Sequence, residues 1–217
     1  MKSDAELYKD VAEELHWTPV VDDKDIAVKA SNGVVTITGY VKSLEEAAAA
    51  EKAVKRVSGV RALANDLLVN VPLNWKVPDP QIARSAVDAI EHDLPHSAHL
   101  LSIVVHDGHV TLEGTVDWQY QRDRAEECIR RVPGVRALTS SIMLKGKPVA
   151  TDIKDRIAAA LKRSAQLEAD RIHVQVDGTE VTLTGRVRSW TEHEEAADTA
   201  WSAPGVLEVK NHLCVGP

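Results

Sequence analysis

The chain is 217 residues long, 44% hydrophobic and 27% charged, which is the balance of an ordinary soluble globular protein. Its net charge of -7 is spread evenly: Lys+Arg against Asp+Glu number 9 and 12 in residues 1–72, 9 and 10 in 73–148, and 8 and 11 in 149–217. No third is basic, which argues against a protein that tracks nucleic-acid phosphates, and no apolar run approaches the roughly 20 residues of a membrane helix.

The opening residues Met1-Lys2-Ser3-Asp4-Ala5-Glu6 run directly into a charged helical pattern, without the apolar segment of a secretory signal. A cytoplasmic location is therefore expected, or a periplasmic one if a signal has been removed. Leu7, Val11 and Leu15 then share one helical face, and the same face recurs as Ile82, Ala86, Ile90 and as Ile153, Ile157, Leu161. Alternation of period two follows in Ile26-Val28-Ala30, Leu101-Ile103-Val105 and Ile172-Val174-Val176, predicting strands with one buried face. Asn32-Gly33, Asp107-Gly108 and Asp177-Gly178 predict hairpin turns, because Gly, Asn and Asp tolerate positive φ.

Second strands are expected at Val35-Ile37-Gly39-Val41, Val110-Leu112-Gly114-Val116 and Val181-Leu183-Gly185-Val187. The inward glycines Gly39, Gly114 and Gly185 predict a close helix approach or a bulge. A second helix should open at Ser43 and Ser189 with capping boxes, and Asp117 would cap the middle copy, which reads Asp117-Trp118-Gln119-Tyr120. Gly59, Gly134 and Gly205 stop that helix, and a last strand follows with Leu63 and Leu67, Leu138 and Ile142, Val209 and Leu213 inward. A helix joining two strands implies a parallel crossover.

These landmarks recur at intervals of 75 and then 71 residues without an internal gap. The fold expected is α+β: three tandem αββαβ modules at 4–70, 79–145 and 151–216, each a mixed three-stranded sheet with two helices on one face. The spacer Val71–Pro78 is proline-bracketed and that at 146–148 is shorter. Modules this small are marginal alone, so contacts between them should add stability, with Trp75 and Trp201 as candidates to cover those contacts.

The pattern resembles the BON domain, carried most fully by Val181-Thr182-Leu183-Thr184-Gly185-Arg186-Val187, Pro204-Gly205-Val206 and Val209-Lys210-Asn211-His212-Leu213. The resemblance covers all three modules. It implies a bacterial stress or osmotic-type protein that binds a phospholipid membrane or acts as an interaction module, and a potassium-binding relative in the family implies a second reading.

No residue pattern carries catalysis. There is no phosphate-binding Gly-rich loop followed by Lys-Ser/Thr and no Gly-x-Ser-x-Gly turn. Cys128 and Cys214 fall at positions the repeat makes apolar and are expected to be small buried side chains. His92, His96, His99, His106 and His109 concentrate in the middle module without the convergent spacing of a zinc site. No catalytic residue, metal or cofactor is expected. The binding candidates are Trp118, Tyr120, Arg124, Arg130 and Arg131 on the second helix of the middle module, an aromatic and arginine surface suited to an anionic phospholipid surface or a protein partner. The alternative is a soluble protein responsive to potassium or calcium, from the oxygen-rich turns at Asp22-Asp23-Lys24-Asp25 and Asp177-Gly178-Thr179-Glu180. The oligomeric state is left open.

Overall fold

The computed structural model describes residues 2–71, 76–145, 153–164 and 171–216. Trp75 and the connection at 146–148 lie outside the described residues. In chain order the first module holds α1 (Asp4–His16), β1 (Ile26–Ser31), β2 (Val34–Val41), α2 (Leu44–Arg56) and β3 (Ala62–Val69). The second holds α3 (Asp79–Asp93), β4 (Leu101–His106), β5 (His109–Val116), α4 (Gln119–Arg130) and β6 (Ala137–Leu144). The third holds α5 (Ile153–Arg163), β7 (Ile172–Asp177), β8 (Glu180–Val187), α6 (Trp190–Trp201) and β9 (Glu208–Val215).

Each module builds its own sheet, with the second strand central, antiparallel to the first and parallel to the third. The expected αββαβ architecture is thus observed three times. Period-two alternation places Val35 and Ile37, Val110 and Leu112, Val181 and Leu183 in three separate cores, each closed by the apolar stripes of two helices. Burying such stripes is worth about 25 cal/mol for each Å² taken from water, and it is the main force fixing each unit.

The strand glycines serve a closer approach than a helix would need. At Gly39, with φ +134°, a Cβ would lie 1.9 Å from the backbone oxygen of Asp25. The corresponding distances are 2.2 Å to Leu100 O at Gly114 and 2.0 Å to Arg171 O at Gly185. The backbone entering the first strand fills that space, so the expected helix approach is corrected to a strand approach.

Three other local expectations change. The third hairpin loop is Gly178-Thr179, one residue later than the sequence suggested, because Asp177 pairs with Glu180 in the ladder. A glycine at the first loop position supplies the positive φ (+56°) there, whereas Asn32 and Asp107 supply it in the other copies. The N-cap of α4 is Trp118, whose side chain makes no capping bond. Gln121 instead accepts from the amides of Asp117 and Trp118, both at 3.0 Å, and donates to buried Ser97 at 2.7 Å. The third concerns Cys214, which is exposed, while Cys128 is buried as expected. Cys214 lies opposite Arg186 on the outward face of its sheet.

Candidate functional site

The second helix of each module joins the modules to one another. At the start of α6, Trp190 packs on the core of the first module, and Glu194 accepts from Lys55 at the end of α2, 3.0 Å away. The Lys55 ammonium also pairs with Glu51 at 3.0 Å and stands 5.9 Å from the Trp190 ring centre. Desolvation opposes the charge on Lys55, but hydrogen bonds from it to Glu51 and Glu194 outweigh that and hold its pKa above the ordinary lysine value.

The start of α2 meets the second module in the same sense. Leu44 packs on that module's core, and Glu45 pairs with Arg131 at 3.7 Å, just past the end of α4. The third junction brings the start of α4 to the end of α6. Trp118, Gln119, Tyr120 and Asp123 lie across a cleft of about 680 Å³ from Asp198, Trp201 and Ser202. Trp201, a candidate to cover a contact between modules, packs on the core of its own module and lines this cleft facing the second module.

Three head-to-tail junctions close a ring within one chain, the intramolecular counterpart of a cyclic heterologous trimer. The sheets follow the same circuit. Asn70 and Val71, after β3, share a cavity with Asp107, Gly108 and Arg136 of the second module. Val215 and Gly216, at the end of β9, share one with Asn32, Gly33 and Arg61 of the first.

The five binding candidates are divided by this arrangement. Trp118, Tyr120 and Arg124 line the α4–α6 cleft. Arg124 is held there by Asp93 and by Glu127, each at 3.0 Å. Arg130 pairs with Glu126 of its own helix at 3.1 Å, and Arg131 pairs with Glu127 and also with Glu45 of the first module. The two oxygen-rich turns likewise hold lysines: Asp22 pairs with Lys42 at 2.6 Å, and Glu180 with Lys210 at 2.5 Å.

Among the described residues no group of three or more His, Cys, Asp or Glu side chains could hold a metal ion. Cys128 donates to the Ala125 carbonyl at 3.2 Å, and burial, with the nearby Asp93 carboxylate, pushes its thiol up to about 11. Such a thiol is protonated at neutral pH and is a poor nucleophile.

A second surface was not singled out from the sequence. The sheet faces turned away from the helices carry Tyr40 beside Leu68 in the first module, and Val104 and Met143 in the second, all exposed. Leu68 is 60% exposed and Met143 67%. They occupy one repeat position, shared with Cys214 in the third module. The sequence signal was an apolar residue of outward parity, Leu68 beside the inward Leu67, which the alternation rule passes over.

The family description "BON domain" matches residues 3–71, 77–146 and 150–217. Osmotically-inducible protein Y of Escherichia coli (strain K12) is 33% identical over 130 residues, covering 58% of this chain and 64% of that protein, so the match spans less than two thirds of the relative. Among solved structures, CdsD, a structural protein of the Type III secretion system of Chlamydia trachomatis, is 14% identical, covering 98% of this chain and 93% of its own; its C-terminal domain gives 14% with full coverage of both chains. Both have a TM-score of 0.28, too low to bear on fold or function. With three matched domains spanning nearly its whole length, the chain belongs to the BON-domain family.

Proposed function

We propose that this is a non-catalytic, stress-type BON-repeat protein that docks onto a protein partner through the uncovered sheet faces of its first two modules. The observation that carries the reading is the low charge of those faces. Across the outward positions of β1, β2 and β3 only Lys29 and Asp66 carry formal charge, and across β4, β5 and β6 only Glu113 does, apart from histidines. Depletion of charge around exposed aromatic and aliphatic side chains is the composition of an interface centre. The outward face of the third module differs, with Asp177, Glu180, Arg186, Glu208 and Lys210.

A phospholipid surface is the other partner implied by the family resemblance. An anionic headgroup layer needs basic residues able to leave their partners, and the arginines here are tied to carboxylates, Arg124 to Asp93 and Glu127, Arg130 to Glu126, and Arg131 to Glu45 and Glu127. The protein partner is therefore the stronger reading. Photo-crosslinking groups placed at Leu68 and Met143 in cells test it, with Glu91 on α3 as control. A discrete crosslinked protein at the two sheet positions, and not at the control, supports docking. No such species, together with co-sedimentation on anionic liposomes at low salt that disappears at high salt, would replace it with the lipid reading.

A further inference from the structure

The three junctions of the ring are equivalent by position but not by chemistry. Lys55, Arg130 and Trp201 occupy one repeat position at the end of the second helix, while Ala48, Asp123 and Glu194 occupy one near its start. Where α2 meets α6, Lys55 places its ammonium between Glu194 and Glu51 and near the Trp190 indole. Where α6 meets α4, the carboxylate is kept as Asp123, but an indole, Trp201, stands at the lysine position, and the cleft of about 680 Å³ opens beside it. That volume is within the usual range of small-molecule sites, roughly 300–1,000 Å³.

The cleft offers the surroundings that Lys55 finds at the first junction. Its aromatic side chains are Trp118, Tyr120 and Trp201. Among the described residues its charged side chains are four carboxylates, Asp93, Asp123, Glu127 and Asp198, against one guanidinium, Arg124, which Asp93 and Glu127 already neutralise. Asp123 accepts from the Gln119 amide at 2.8 Å, while the Gln119 side-chain oxygen is buried with no hydrogen-bond partner among the described residues.

We infer that the α4–α6 cleft binds a small organic ammonium ion, held over the indole of Trp201 with Trp118 and Tyr120 and neutralised by Asp123 and Asp198. Aromatic faces attract a desolvated cation through the ring quadrupole, most strongly for indole. An apolar methylated or methylene body suits the aromatic walls, and an anionic or zwitterionic ligand would meet repulsion from the carboxylates. Desolvation in the cleft, and then repulsion from neighbouring carboxylates, hold Asp123 and Asp198 above the ordinary aspartate range, a repulsion that a bound cation relieves. This site is separate from the sheet faces and does not depend on the docking reading.

Choline is a suitable probe on the full chain, titrated at constant ionic strength against sodium chloride, with tryptophan fluorescence and thermal melting as readouts. The inference expects a saturable fluorescence change and a melting rise of about 5 °C at roughly a hundredfold excess over Kd. Trp201→Lys should restore the chemistry of Lys55 within the chain, melt no lower than the parent, and abolish the choline response. Asp123→Asn should weaken choline binding about tenfold. A parent whose fluorescence and melting follow sodium chloride alone would overturn the inference, as would undiminished choline binding in a folded Trp201→Lys variant.

Discussion

Lys55 in the first module donates to Glu194 in the third at 3.0 Å, across 139 positions of the chain. A lysine drawn partly out of water is not normally stabilising unless its charge is met, and Glu51, Glu194 and the Trp190 ring meet it together. Ring closure rests on this junction and on its two counterparts, not on any continuous sheet.

Lys55→Ala should therefore destabilise the full chain by about 1 kcal/mol, more than an ordinary surface pair but reduced by solvent screening. The loss has a defined pH window. For Glu51, burial favours the neutral form, but hydrogen bonds from Lys55 and Asn65 overcome it and lower the folded pKa. Its contribution is complete above the unfolded carboxylate pKa and is lost as pH falls through the lowered folded value. Lys55 has a raised folded pKa, so its share is complete below the unfolded lysine value and lost as pH rises through the folded one. Urea unfolding of parent and variant should show a gap that is constant through neutrality and narrows below about pH 4 and above about pH 10.5.

Gly39→Ala and Gly185→Ala force a methyl group onto a backbone oxygen at about 2 Å and place an L side chain at φ of +134° and +130°. Each should cost about 3 kcal/mol or more and lower the urea midpoint clearly. Gly216→Ala, with nothing among the described residues within 4 Å of the added methyl, should leave the midpoint unchanged.

The last strand of each module carries one polar side chain facing its second helix. Asn65 donates to Glu51 at 3.0 Å and Asn211 to the His193 carbonyl at 2.9 Å, whereas the Ser140 hydroxyl is buried with no hydrogen-bond partner among the described residues. Replacement by alanine should cost about 1 kcal/mol at Asn65 and Asn211, and at Ser140 should be neutral or stabilising. Chemical denaturation of the three variants checks the contrast.

Thiol titration with an aromatic disulfide reagent should report Cys214 alone in the native protein. Cys128 is buried and its thiol is held near 11, so it should react only on unfolding. Rapid modification of Cys128 in the folded chain would mean that α4 opens from its core.

The modules were legible in the sequence because burial within each is periodic: Leu7, Val11 and Leu15, or Val181 and Leu183, repeat at the spacing their element requires. The turn at Gly178-Thr179 slipped by one residue because Asp-Gly satisfies the same local rule in two registers. Cys214 was misplaced because an apolar type at a repeated position does not reveal which sheet face it occupies; Leu68 and Met143 share that face and are exposed. The junctions were hidden for another reason. Lys55 and Glu194 are ordinary solvated residues in a helical pattern, and only the placement of three separate cores brings them together.

Ring closure can be measured by small-angle X-ray scattering of the full chain at several concentrations. Three modules closed head to tail should give a radius of gyration of about 17 Å, the value for one compact body of this length. Three modules strung out in line, each of compact dimensions, would give roughly 26 Å. The smaller value, rising in Lys55→Glu, is the result expected. The larger value in the parent chain would contradict the Lys55–Glu194 junction and the cleft between α4 and α6 with it.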